Sequence, residues 1–228
     1  MKKNIKIKLG CQVVVFFVIL ETITVPMVAM ANNFARINFL YLAIMGFMVA
    51  MIALSILLKI LERYFIRNSE KIFSVNVNIV SNLWLIPFFA GILEMVMFLV
   101  QGELFNRGYR DYSAGFWSGF ISVFVSLVIY KLLLDICSYS LKFTNINNEK
   151  FVLNISWWNI FLISLLFGFY EMVVCPITGW WIPYQGLMRF IMAVFSGAIG
   201  GFVGSLLILL LNRYIKFFNI DVLLCEDK

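Results

Sequence analysis

The chain has 228 residues, of which 63% are hydrophobic and 13% charged, with a net charge of +6 and no histidine. A water-soluble domain of this size lacks the interior to hide so much apolar side chain, so the composition points to the bilayer. The missing histidines remove the usual ligand of haem and zinc and the usual proton relay.

In chain order, the first predicted element is a helix over 10–31, behind the basic opening MKKNIKIK. It holds Glu21 and Pro26 in the stretch LETITVPMVA and closes on AMA, which gives it the outline of a secretory signal. A central carboxylate and a run of about 22 residues fit the apolar region of a signal poorly, and we read the segment as a permanent span. Five more helices are predicted near 37–60, 83–101, 114–136, 157–178 and 187–211. Each is close to the roughly 20 apolar residues that cross a bilayer. Strand-type alternation is weak, which favours helices over a closed barrel. The expected fold is therefore all-α, a polytopic membrane bundle of six transmembrane helices in a single domain over 1–228. The polar segments NSEKIFSVNVN and FTNINNEKF read as short connectors between spans.

Fourteen of the eighteen Lys and Arg residues fall in the N-terminus, the 59–71 loop, the 131–150 region and the tail. The other side carries Arg36, Arg107, Arg110 and Arg189. This bias predicts a multi-pass cell-membrane protein with both termini in the cytoplasm. The positive charge then reads as topology and contact with anionic lipid, with no separate case for nucleic acid. Cys11, Cys137 and Cys225 lie near the cytoplasmic face and Cys175 sits alone in the fifth helix, so no disulfide framework is expected.

Internal similarity is present. NLWLIPFFAGILEMV, from Asn82 to Val96, and NIFLISLLFGFYEMV, from Asn159 to Val173, share seven of fifteen residues in register. ETITVP at Glu21 resembles EMVVCP at Glu171, with Pro26 and Pro176 each five residues after the Glu. Beyond the three glutamates, Arg36, Arg110 and Arg189 follow at 15, 16 and 18 residues. A small residue, Gly46, Gly119 or Ser196, follows each Glu at 25 residues. The chain thus reads as three helical hairpins near 9–71, 82–142 and 157–216, each with Glu in the outgoing helix and Arg at the start of the returning one.

Ionisable groups at membrane depth are costly and mark function, so Glu21, Glu94 and Glu171 are candidates for lining a solute or ion pathway. Arg36, Arg110 and Arg189 are candidates for its outer mouth, although Glu and Arg could instead pair within each hairpin and fix its packing. Pro26 and Pro176 each free a backbone carbonyl beside a Glu and allow a kink. Small residues at helical spacing, Gly115 and Gly119 in the fourth helix and Ser196, Gly197, Gly200, Gly201 and Gly204 in the sixth, allow helices to approach closely. They could serve internal packing or a partner membrane subunit or second copy. No nucleotide loop, nucleophile elbow, metalloprotease helix or paired-aspartate motif is present, so no cofactor, metal site or catalytic residue is expected. The leading expectation is a membrane transport component. The first alternative is a non-transporting accessory or immunity protein that acts through its glycine-rich helix faces, and the last is an integral membrane enzyme that works with carboxylates alone.

Overall fold

The computed structural model describes residues 2–6, 12–34, 40–41, 43–56, 77–81, 84–106, 112–137, 142–145, 150–179, 182–215 and 219–224. Six helices carry the bundle: α1 Gln12–Phe34, α2 Ala43–Ile56, α3 Leu85–Asn106, α4 Tyr112–Cys137, α5 Trp157–Thr178 and α6 Gly186–Ile215. Among the described residues, four segments are long and apolar enough to cross a membrane: Leu85–Leu104, Tyr112–Cys137, Trp157–Thr178 and Gly186–Arg213. The described apolar parts of the first two helices, Val14–Met27 and Ala43–Ile56, are shorter.

Local chemistry sets several of the boundaries. The Ser156 hydroxyl accepts from the backbone N–H of Asn159 at 3.2 Å and caps the start of α5. Gly186, at φ 56°, opens α6 in a left-handed conformation that a β-carbon would disfavour. Pro87 falls in the first turn of α3, where the missing N–H has no intrahelical acceptor to serve. The third helix runs to Asn106, five residues beyond the expected end at 101. The reason is visible at Gln101, whose Nε2 donates to Ser118 Oγ at 3.2 Å and to Cys175 Sγ at 3.9 Å, so a polar residue continues the helix inside the bundle.

The segments expected to be plain connectors and tails instead supply a five-stranded antiparallel sheet. Its strands are β1 Lys2–Lys6, β2 Val77–Ser81, β3 Lys142–Asn145, β4 Lys150–Asn154 and β5 Asn219–Leu224, in the order β1-β5-β4-β3-β2. Lys2 faces Leu223 across β1 and β5, Val152 faces Leu223 across β4 and β5, and Phe143 faces Phe151 across β3 and β4. The segments flanking the helices are therefore gathered at one end of the bundle.

Tyr130, Ile155 and Ile160 form a buried cluster where the sheet meets the helices, with Phe89, Leu127 and Val128 against it. Beside it, Lys131 Nζ reaches Asp135 Oδ1 at 3.0 Å and Asn154 Oδ1 at 3.2 Å, tying the end of α4 to the end of β4. Deeper in the bundle, Leu166, Tyr170, Val174 and Ile208 join α5 to α6, and Val25, Ala29 and Ala193 join α1 to α6.

Candidate functional site

The glycine faces explain how the helices meet. In lipid, helices gain nothing by hiding apolar side chains from one another, so close backbone approach and polar contacts must hold them. Gly197 and Gly201 of α6 lie against the backbone of Glu21 and Phe17 in α1, and a β-carbon on Gly201 would sit 2.5 Å from the Phe17 carbonyl oxygen. Gly200 and Gly204 on the neighbouring face of α6 lie against α5, the first on Thr178 and Val174, the second on Tyr170 and Val174. Gly115 and Gly119 of α4 receive α5, where a β-carbon would sit 2.5 Å from the carbonyl oxygens of Glu171 and Phe167 respectively. Gly46 of α2 receives Phe98 of α3, with the Glu94 β-carbon also close. Ser196 is buried and donates to Ala193 O at 3.1 Å and to Thr178 O at 3.4 Å.

Each of the three glutamates thus sits where its own helix crosses a small residue of another: Glu21 at Gly197, Glu94 at Gly46 and Glu171 at Gly115 and Gly119. All three residues are partly buried within the bundle and lie within electrostatic range of one another. At about 1.5 Å per residue, Glu21 and Glu94 stand about 14 Å along their helices from the sheet end, and Glu171 about 21 Å. Against a hydrocarbon core of about 30 Å those are interior depths.

The three carboxylates are not equivalent. Glu21 Oε1 accepts from Tyr170 Oη at 2.9 Å, a bond between α1 and α5, and its Oε2 accepts a longer bond from Thr24 Oγ1 at 3.5 Å. Among the described residues, Glu94 and Glu171 accept no comparable hydrogen bond. Tyr170 is 1% exposed and its ring packs on Phe17 and Phe167, which fixes the hydroxyl in place. Sequence reasoning missed this residue. It also missed the Gln101, Ser118 and Cys175 group, which lies between α3, α4 and α5.

The remaining expected residues are placed as follows. Arg189 Nε donates to the Tyr184 carbonyl at 2.7 Å in the turn before α6. Arg36 and Arg110 lie outside the described residues. Pro26 is buried within α1 and Pro176 is partly buried within α5, and both helices continue past the proline. Among the described residues no group of three or more Cys, Asp or Glu side chains has the geometry to hold a metal ion.

Four long apolar helices, with polar groups turned toward one another inside the bundle, define an integral membrane protein of the polytopic helical class. No protein-family model, curated protein or solved structure matches the chain, so its particular activity is argued from this geometry.

Proposed function

We propose that the protein is a membrane transport component, either a small-solute or ion permease or the membrane subunit of a larger transporter, in which Glu21, Glu94 and Glu171 line the path of a cationic species. The observation that carries this is the convergence of three glutamates at membrane depth, within electrostatic range of one another and each at a seam between helices. A cation among them offsets the repulsion that their ionised forms exert. Seams between helices are also where small relative movements open and close a path.

In this reading all six helices span the membrane as three repeated hairpins, α1–α2, α3–α4 and α5–α6. Two features support it. The glutamates and small residues interlock in a cycle, with Glu21 of the first hairpin on the third, Glu171 of the third on the second, and Glu94 of the second on the first. The sheet collects the segments before α1, between α2 and α3, between α4 and α5, and after α6, as an even number of crossings per hairpin requires. Lys2, Lys3, Lys6, Lys142 and Lys150 lie in that sheet, which supports a cytoplasmic position for it and for both termini of a cell-membrane protein. Arg189 then belongs to the outer mouth, and Pro26 and Pro176 supply bending beside two of the three carboxylates. No enzymatic role is part of this proposal.

The accessory reading loses support because the glycine faces it would offer to a partner are covered from within the chain. The deciding experiment is flux in proteoliposomes, with a panel of protons, alkali cations and small organic cations, for wild type and for E21Q, E94Q and E171Q. We expect E94Q and E171Q to lower flux of one of these species at least tenfold. Unchanged flux in all three variants would remove the carboxylates from any pathway.

A further inference from the structure

On the side of α6 that faces away from α1, Val203, Leu206, Leu207 and Leu210, together with Val173 of α5, line an apolar groove of about 560 Å³ that ends at Arg213. Leu206 and Leu210 are 45% and 54% exposed, so the groove opens to the surroundings of the bundle and not to the carboxylate cluster. Its dimensions are informative. Val203 to Arg213 is ten residues, a rise of about 15 Å, which is half of a hydrocarbon core of about 30 Å. Counted back from the end of the apolar span at Arg213, the groove covers the half of the span nearer the sheet, since β5 is the next element after α6.

A wall of Val and Leu methyl groups offers no hydrogen bond, so the occupant of the shaft is a flexible hydrocarbon. At the open end stands a guanidinium, in the last turn of α6, with no carboxylate ion-paired to it among the described residues. Arginine binds phosphate oxygens through paired N–H groups, and basic positions between helices at the cytoplasmic face recruit anionic headgroups.

We propose that this groove is a lipid site that holds one acyl chain of an anionic phospholipid from the sheet-side leaflet, with the phosphate on Arg213. The assignment is independent of the transport reading, because none of its residues belongs to the carboxylate cluster. A zwitterionic lipid would bring its own cation next to Arg213, so the site discriminates by headgroup charge as well as by chain.

The test is native mass spectrometry of the full chain, delipidated and titrated with phosphatidylglycerol or phosphatidylcholine of identical acyl chains. Wild type should retain phosphatidylglycerol at least tenfold better than phosphatidylcholine. R213Q should abolish that preference while still admitting either lipid, and L210W, which fills the exposed rim of the groove, should lower retention of both. Inorganic phosphate alone should not compete. Equal retention of the two lipids by wild type, or an R213Q variant with the preference intact, would overturn the assignment. A disulfide between two copies of Leu210→Cys in vesicles of phosphatidylglycerol would also overturn it, by showing that a second chain occupies the face. Thermal stability measured alongside keeps a misfolded variant from being read as a loss of binding.

Discussion

Tyr170 makes the three carboxylates different from one another. The positions just before the glutamates are Leu20, Leu93 and Tyr170, so one helix of the three carries a hydroxyl that can reach across to another. Its bond to Glu21 joins α1 to α5 and holds that carboxylate against the core, while Glu94 and Glu171 accept no such bond among the described residues. A hydrogen bond with a charged partner contributes roughly 1.5–3 kcal/mol. Y170F should therefore lower the melting temperature in detergent, and E21Q should recover part of that loss, because an amide needs the phenol less than a carboxylate does. Strictly additive effects in the E21Q/Y170F cycle would show that the bond does not couple the two helices. The glutamates were legible in the sequence because a charge within an apolar run is costly and stands out. Tyr170 was not, since an aromatic residue in such a run is ordinary and its partner lies 149 positions away.

Among the elements, α6 shows how much depends on the absence of side chains. Gly197 and Gly201 serve one neighbour and Gly200 and Gly204 the next, so a single helix is wedged between α1 and α5 by two adjoining glycine faces. Gly197→Leu and Gly204→Leu place bulk against the Glu21 backbone and the Tyr170 ring respectively. Overpacking typically costs 1–3 kcal/mol, and about that much or more is expected where the obstacle is backbone that cannot rotate aside. Both variants should unfold at lower temperature, whereas Phe202→Leu on the exposed side of the same helix should not. Spacing in the sequence revealed these faces, but not their partners, because a small-residue stripe fits any helix equally well. The end of α3 was misjudged for a related reason. Gln101 reads as a boundary until Ser118 and Cys175 are known to receive it.

For the whole molecule, the sheet is what sequence reading left out. Its strands have four to six residues each and draw on polar stretches such as KKNIK and KFTN, whose apolar alternation is too brief to register. Such short strands gain their pairing only after the helices have brought distant segments together, so the information lies in the bundle rather than in the strands. Cysteines at Lys3 and Val222, which face each other across β1 and β5, should cross-link readily in a background free of other thiols. In intact cells the same cysteines should resist a membrane-impermeant maleimide, and labelling from outside would reverse the proposed orientation. The β1–β5 pairing has one more consequence. With neighbouring strands about 4.8 Å apart, the two ends of the chain of elements meet, and the six helices are connected as a closed loop rather than as a line. No helical pair is intrinsically first. A circular permutant that joins β5 to β1 through a short glycine-serine linker and opens the chain between β3 and β4 should keep every helix contact, and should elute and melt like the parent.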